Sequence, residues 1–262
     1  MLSNNLKRII ILCVVTVYSF SINAQNKPLG DFDYFIMYSN WGFSAATISY
    51  LKPIISRNDI TNITINTSKG AQISVKYHYH KEKEWSFNTG IIFTLLQPSK
   101  LLFTLKNQDV FKEEQRFFES SLKGKFYIQF PINAEIKKRL WENIYFNFNV
   151  GLTVFFINVP TNNINYTILD TTSNETKEVF SLNYNNGNRA HLTALFSIGT
   201  YIMFKNFMVQ TNIVFDKTFE NFWDGDYQFQ NLLQSEPSSG TYNLKGDYFG
   251  FLLTVYFKRK GW

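Results

Sequence analysis

Residues 144–156 of the sequence read IYFNFNVGLTVFF, and this stretch decides the fold. Every even position in it is apolar, from Ile144 to Phe156. The odd positions before its end carry a phenol, two amides, a glycine and a hydroxyl: Tyr145, Asn147, Asn149, Gly151 and Thr153. Successive side chains of a β-strand point to opposite faces, so one face here is apolar and the other mostly polar. A soluble sheet turns the apolar face inward, whereas a transmembrane barrel turns it toward lipid.

The same alternation recurs along the chain. It is found in four further segments, 72–80, 122–132, 207–215 and 247–257. Two segments, 85–96 and 190–204, are more uniformly apolar but have the length and composition of strands. The first strand is predicted within 41–55, and 33–38 is an alternative start for it.

The lengths of the connections favour a membrane barrel over a soluble sheet. Three are short: 81–84, 137–143 and 205–206. The other four connections, which alternate with the short ones, are long and polar: 57–69, 97–116, 159–188 and 220–241. Strict alternation of short turns and long loops is typical of outer-membrane barrels, in which no strand edge can face lipid unpaired. We therefore predict an all-β protein, an eight-stranded antiparallel up-and-down transmembrane β-barrel whose first and last strands pair.

The N-terminus has the pattern of a secretory signal peptide, predicted over residues 1–24. Lys7 and Arg8 precede an apolar run of about a dozen residues, too short for a membrane span, and Ile22-Asn23-Ala24 fits a cleavage site. An uncleaved anchor helix is the alternative. The barrel domain is then 25–262, located in the bacterial outer membrane, and export argues against a cytosolic enzyme.

Composition excludes several kinds of function. The only cysteine, Cys13, lies in the predicted leader, so no disulfide or thiol chemistry is expected in the mature chain. The formal net charge of +6 is spread along the sequence, and no nucleic-acid partner is expected without a clustered basic face.

The interior of the predicted barrel should be a polar plug. Eight strands leave a lumen that side chains fill, so a conducting pore is not expected. The predicted lumen set is Lys76, His78, His80, Lys123, Lys125, Gln129, Asn147, Asn149, Gln210 and Asn212. Its lysines need buried acidic partners, for which Asp216 and Glu135 are the candidates.

Two further features concern the strand ends. Pro131 cannot donate to a ladder, so it should mark a bulge or the periplasmic end of its strand. Aromatic girdles at the membrane interfaces are predicted from residues near strand ends: Tyr77, Tyr79, Trp85, Trp141, Tyr256 and Phe257.

We find no catalytic, cofactor-binding or metal site in the sequence. His78 and His80 share a strand face, but a metal site would need further ligands that cannot be placed. His191 is predicted at the outer rim, and Ser197 lies about 20 Å along the strand from it, too far for a hydrogen bond. Ser74 and His78 are likewise too far apart along their strand for a hydrogen bond. A serine and a histidine on different strands could still form a catalytic pair. The acidic stretch 220–227 is predicted to be a solvated external loop.

Two segments resemble a known family. Residues 126–157, FYIQFPINAEIKKRLWENIYFNFNVGLTVFFI, resemble the central hairpin of the PorT-like outer-membrane barrels of Bacteroidota. Residues 247–257, DYFGFLLTVYF, resemble the family's last strand, which the barrel-assembly machinery reads; here Lys258 to Trp262 follow it. The resemblance implies an outer-membrane location, and one member of the family serves protein secretion and gliding.

The sequence therefore predicts only a general class of function. We expect a non-enzymatic outer-membrane barrel, in contact with outer-membrane lipid, whose external loops offer adhesion or protein contacts. An accessory part of a secretion or gliding apparatus is the alternative, and a lipid-modifying outer-membrane enzyme is the third possibility.

Overall fold

A computed structural model describes most of the chain. The described residues are 32–51, 54–55, 62–66, 69–97, 99–122, 125–157, 163–185 and 189–259. The predicted signal peptide and Lys123 of the predicted lumen set lie outside them. Within these ranges the strands are β1 (Trp41–Tyr50), β2 (Ile54–Ile55), β3 (Asn62–Ile65), β4 (Lys69–Tyr79), β5 (Trp85–Leu96), β6 (Ser99–Thr104), β7 (Phe117–Leu122), β8 (Lys125–Trp141), β9 (Ile144–Ile157), β10 (Asn163–Asp170), β11 (Glu175–Asn185), β12 (Arg189–Met203), β13 (Phe207–Thr218), β14 (Asn221–Phe229), β15 (Ser238–Lys245) and β16 (Tyr248–Phe257).

Eight of these strands close into one barrel. Each pairs with the next barrel strand along the chain, in the order β1, β4, β5, β8, β9, β12, β13 and β16, and all pairs are antiparallel. Closure comes from β1, where Ala45 lies opposite Leu253 of β16 on one side and Ile73 of β4 on the other. The predicted eight-stranded up-and-down barrel is therefore confirmed.

The outward face of the barrel is an apolar belt. In β9 the even positions point outward and the odd positions are buried, as the alternation predicts. Ile73, Ile132 and Ile213, on three other strands, expose 60% or more of their surface. A continuous apolar surface of this kind on a barrel fits the hydrocarbon of a membrane rather than water. No helix in the described residues combines the length and hydropathy needed to span a membrane.

Aromatic side chains gather outside the short-turn end of the barrel. Trp41 packs against Tyr77 at a ring distance of 4.9 Å, and Tyr77 packs against Tyr79 at 4.7 Å. Of the other predicted girdle residues, Trp85, Trp141 and Phe257 also point outward. The prediction is wrong for Tyr256, which is fully buried in the interior because it alternates with Phe257 along β16.

Pro131 lies in the middle of β8, so its predicted place at a strand end is wrong. It points into the barrel, and β8 continues past it in unbroken register with β9. No bulge forms there. Instead the ladder with β5 is interrupted opposite Gly90 and Ile91, and the hydroxyl of Thr89 donates to the Pro131 carbonyl at 2.8 Å. A side-chain donor thus compensates locally for the broken ladder.

The predicted turn 137–143 is also too long. Strand β8 runs to Trp141, and only Glu142 and Asn143 connect it to β9. Lys137 is therefore a strand residue, and its side chain is fully buried in the interior.

The long connections are folded, which the sequence did not predict. They form a five-stranded sheet in the order β10-β11-β14-β15-β2 and a three-stranded sheet in the order β3-β6-β7. We call these two sheets the platform. The predicted solvated loop 220–227 is wrong, because it forms most of β14 inside the larger sheet.

One hydrophobic core joins the platform to the barrel. Phe103 of the smaller sheet packs against Phe180 and Phe229 of the larger one, with ring distances of 4.6 and 5.3 Å. The same buried cluster includes Tyr127 and Phe155, which point into the long-connection end of the barrel. The platform therefore covers that end of the barrel as a packed layer.

A short N-terminal segment covers the opposite end. The 3-10 helix Asp33–Met37 replaces the alternative first strand at 33–38, which is wrong. Its Phe35 is fully buried, and its ring lies 4.9 Å from that of Tyr145 and 5.2 Å from that of Tyr201. We call residues 32–39 the N-terminal cap.

Candidate functional site

A carboxylate lies at the centre of the interior near the short-turn end. Glu135 is fully buried and accepts hydrogen bonds from the Ser86 hydroxyl at 2.8 Å and the Tyr201 hydroxyl at 2.7 Å. The Gln210 amide donates to it at 3.1 Å. Because these donors come from β5, β12 and β13, the carboxylate of β8 ties together four strands. A charge buried this deeply persists only with such a set of partners.

The lysine that pairs with this carboxylate is Lys137. Its Nζ lies 3.9 Å from Glu135 Oε2 and donates to the Lys81 carbonyl at 2.6 Å. It also lies 4.8 Å from the centre of the Phe35 ring, a cation–π contact with the N-terminal cap. Glu135 is therefore a buried acidic partner, but for Lys137 rather than for a lysine of the predicted lumen set. Asp216 is not, because it accepts from Thr193 at 2.9 Å and forms no ion pair with a described lysine.

The two histidines of β4 do not share the interior. His78 is buried, with Nε2 2.7 Å from the Tyr256 hydroxyl and Nδ1 3.6 Å from Glu135. His80 follows the end of β4, has φ of 52° and is exposed, so its predicted place in the lumen is wrong. The strand alternation ends one residue before it, where the chain turns. Among the described residues no cluster of three metal-ligating side chains forms.

Amide side chains fill the middle of the barrel. Asn133 donates to Asn88 at 2.8 Å, and Asn88 donates to Asn149 at 3.1 Å. Further toward the platform, Gln72 donates to Tyr248 at 3.2 Å. The predicted lumen residues Lys76, Gln129, Asn147, Asn149, Gln210 and Asn212 are all inward and buried, so the polar plug is confirmed for them. The side chain of Lys125 is not described.

No serine lies in nucleophilic geometry with a histidine among the described hydrogen bonds. His191 is buried rather than on the rim, because the platform covers this end, and its ring stacks on Phe155 at 5.0 Å. Ser197 accepts from Asn212 at 2.9 Å. Ser74 is buried farther along β4 from His78, whose Nε2 is taken by Tyr256.

Three interior residues, Asn133, Lys137 and Tyr201, were missed by the sequence analysis, which named Glu135 only as a candidate acidic partner. Asn133, Glu135 and Lys137 follow Pro131 at alternate positions, with Ile132, Ala134 and Ile136 between them. Continuing the alternation past the proline predicts this whole half of β8. Tyr201 was harder to predict as an interior residue, because segment 190–204 is apolar on both faces and shows no clear alternation.

The platform presents a flat polar surface to solvent. On the outer side of its larger sheet, the registers of four strands align amide, hydroxyl and carboxylate side chains in two rows: Asn163, Asn183, Asp226 and Thr241 in one, and Asn165, Ser181, Gln228 and Ser239 in the other. Most of these side chains are exposed. Groups of this type make directional hydrogen bonds, so the surface is chemically suited to contact a polar partner.

Polar clamps fix the connections within the platform. Asp109 is fully buried and accepts from the backbone N–H of Ser235 at 2.8 Å and from its hydroxyl at 2.7 Å. Asp170 accepts from Lys177 at 2.6 Å and from the backbone of Thr172 at 2.8 Å. The Lys177 ammonium beside Asp170 holds the pKa of that carboxyl well below its usual range.

Three solved structures of outer-membrane proteins are similar to the chain. OprG from Pseudomonas aeruginosa is 7% identical, with a TM-score of 0.42 over 85% of this chain and 98% of that one. The protease OmpT from Escherichia coli is 9% identical, with a TM-score of 0.28 over 85% and 94%. The translocator domain of the autotransporter NalP from Neisseria meningitidis is 7% identical, with a TM-score of 0.23 over 98% of both chains.

No protein-family model matches the sequence, and no curated protein is significantly similar to it. TM-scores below 0.5 carry no inference about activity. What the chain is therefore follows from its own strand pairing, and it is a closed eight-stranded antiparallel β-barrel.

Proposed function

We propose that this protein is an integral, non-enzymatic protein of a bacterial outer membrane that holds a folded platform at the cell surface for contact with a partner. The observation that carries the proposal is the core shared by the platform and the barrel mouth. A connection that only links two strands has no need of such a core, whereas a recognition surface gains precision from a rigid support.

The apolar belt supports the membrane location. Its outward isoleucines and phenylalanines suit hydrocarbon, and the aromatic girdle at the short-turn end suits an interface. Barrels of this kind keep their short turns in the periplasm, so in our proposal the platform faces the cell exterior and the N-terminal cap faces the periplasm.

The filled interior supports a role other than transport or catalysis. Glu135 accepts a hydrogen bond from Tyr201, and His78 forms one with Tyr256. Glu135, His78 and Tyr201 are each 1% exposed or less. The cap and the platform cover the two ends. A catalytic group has to reach a substrate, so groups enclosed in this way serve stability better than chemistry.

Site-specific photo-crosslinking in intact cells tests the proposal. A photo-reactive residue in place of Gln228 lies in the outer rows of the larger sheet, and one in place of Glu119 lies on the smaller sheet as a control. We expect a discrete crosslinked partner from position 228 and none from 119. A protein that fractionates with soluble periplasmic contents, or equal crosslinking at the two positions, would contradict the proposal.

The resemblance of residues 126–157 to PorT-like barrels favours one other role, an accessory part of a secretion or gliding apparatus. Strands β8 and β9 form the hairpin that carries this resemblance. A secretion or gliding defect in a deletion strain would support it. The lipid A mass spectrum of the same strain should be unchanged, since we propose no lipid-modifying activity.

A further inference from the structure

A small enclosed cavity lies midway along the barrel interior. It has a volume of about 20 Å³, enough for one water molecule or one ion of similar size. Lys76 and Asn149 contribute to its wall, as do Ser74 and Ser197. The rest of its lining is mixed, with apolar side chains such as Leu195 and Leu252 beside the amides of Gln72, Asn88 and Asn133, and its small volume leaves no place for a larger hydrated species.

Lys76 lies between two glycines of the neighbouring strands. Gly42 of β1 and Gly90 of β5 lie directly opposite Lys76 on its two sides. A Cβ on Gly90 would lie 3.0 Å from the Lys76 Cα, so no side chain could stand between the lysine and its neighbouring strand. Gly90 therefore leaves space beside Lys76 on the β5 side, whereas the space beside Gly42 is filled by Tyr256, whose Cε1 would lie 2.4 Å from a Cβ there.

The ammonium of Lys76 forms no close ion pair within the described part of the chain, although the charge of Glu135 acts on it from farther away. Of the described residues, no carboxylate oxygen lies within 4 Å of its Nζ, and Glu135 is already engaged by Lys137. Lys81 adds a third buried lysine at the same half of the interior. A buried ammonium without a counter-charge is costly, so the cavity beside it is suited to a negative species.

Two other polar groups around the cavity are able to donate, whereas the amides of Gln72, Asn88 and Asn133 already donate to protein acceptors. The Nδ2 of Asn149 is buried without a hydrogen-bond acceptor among the described residues. The Ser197 hydroxyl accepts from Asn212, which leaves its own proton available. The oxygen of Asn133, which also lines the cavity, is unpaired and occupies the space beside Gly151. A cation in the cavity would be repelled by the Lys76 ammonium and would face hydrogen-bond donors. An anion would be attracted by the ammonium and could accept from those donors.

We propose that the barrel interior binds a monovalent anion of halide size beside Lys76. The ion neutralises the lysine and satisfies the donor on Asn149, and it is enclosed when the barrel closes. It stabilises the folded barrel by its binding free energy, so the folded state should depend on the anion present during folding.

Refolding the mature barrel into detergent micelles tests this proposal. We would compare sodium bromide with sodium gluconate at equal ionic strength, because gluconate is too large for the cavity. Bromide at ten times its dissociation constant should raise the melting temperature by about 3 °C, with saturation. Lys76→Met should abolish this difference, because it replaces the buried ammonium by an uncharged side chain that is only one atom shorter. Lys69→Met, on the exposed face of the same strand, should retain it.

Anomalous diffraction from crystals grown in bromide gives an independent measurement on the unaltered protein. The proposal requires an anomalous peak in the cavity beside Lys76. It is overturned by ordinary water density without an anomalous signal, by equal melting temperatures in the two salts, or by bromide dependence that survives in Lys76→Met. None of these outcomes bears on the partner contact proposed for the platform.

Discussion

Asn133 and Gly151 lie opposite each other in the β8–β9 pair, and the amide oxygen of Asn133 occupies the space where a side chain on Gly151 would begin. An ideal Cβ on Gly151 would be 2.1 Å from that oxygen. The same arrangement recurs in the β12–β13 pair, where a Cβ on Gly199 would be 2.2 Å from the amide oxygen of Asn212. Glycine at these two positions is therefore required both by the amides and by the neighbouring backbone, since the carbonyl oxygens of Ile132 and Thr211 would lie 2.3 and 1.8 Å from the same Cβ atoms.

Gly151→Ala should destabilise the barrel by about 1–3 kcal/mol, the usual cost of overpacking. The new methyl group would displace the Asn133 amide and break its 2.8 Å hydrogen bond to Asn88. Urea unfolding of the protein in detergent micelles measures the loss. Gly250→Ala is the control and should cost less, because its methyl group first meets the side chain of Ile48, which can move. Equal losses would show that the amide contact is unimportant.

Glu135→Gln should cost about 3–5 kcal/mol, as expected when one partner of a buried ion pair is removed. The glutamine amide would face donors from Ser86, Tyr201 and Gln210 and leave Lys137 without its carboxylate. Unfolding in urea again gives the free energy.

Two variants control for this substitution. Glu119→Gln breaks an exposed pair with Lys100 and should cost less than about 1 kcal/mol. Adding Lys137→Met to Glu135→Gln should recover part of the stability, because the uncompensated ammonium is then gone. If the double variant has the same free energy of unfolding as the single one, the carboxylate of Glu135 does not stabilise the Lys137 ammonium.

The architecture of the barrel was predictable because a single period of two residues decides which side chains meet lipid. Strand β9 shows this best, since its outward positions are apolar without exception. The platform was not predictable in the same way. In β10, exposed Asn165 and Thr167 flank half-buried Tyr166, and pairing with β11 slips beside that tyrosine. Such strands are specified by distant partners such as Phe103, which leave no local pattern.

The N-terminal cap shows a different limit of sequence reasoning. Residues 33–38 alternate too briefly to tell a strand from one turn of 3-10 helix. Phe35 is buried only because Tyr145 and Tyr201 point into the same end of the barrel. That coincidence depends on the closed fold and cannot be read from neighbouring residues.

Phe35→Ala should release the cap while the barrel stays folded. It removes a fully buried ring from contact with Tyr145, Tyr201 and the Lys137 ammonium, a loss of about 3–5 kcal/mol for a core phenylalanine. Because the cap is a short segment, this loss should appear as local opening rather than global unfolding. Limited proteolysis should cut near residues 32–39 and leave the barrel intact. Tyr34→Ala, at an exposed neighbouring ring, should stay resistant, and cleavage of both variants alike would contradict this role.

Lys81 should make the stability of the protein rise with pH above neutrality. It lies in the turn after β4, where burial, with the nearby charges of Arg259 and Lys137, lowers its pKa from 10.5 to about 7. Its Nζ donates to the carbonyls of Tyr38 and Ser39 in the cap, two bonds that a neutral amine can keep. Between pH 7 and 10.5 the unfolded chain therefore binds more protons than the folded one, and stability increases with pH.

The slope from this one group is at most about 1.4 kcal/mol per pH unit. Below pH 7 both states are protonated, so Lys81 contributes no pH dependence there. Urea midpoints at pH 7, 8, 9 and 10 measure the slope. Lys81→Met should reduce it, whereas Lys83→Met, at an exposed position of the same turn, should leave it unchanged. A slope in Lys81→Met equal to that of the unaltered protein would show that the ammonium of Lys81 does not destabilise the folded cap.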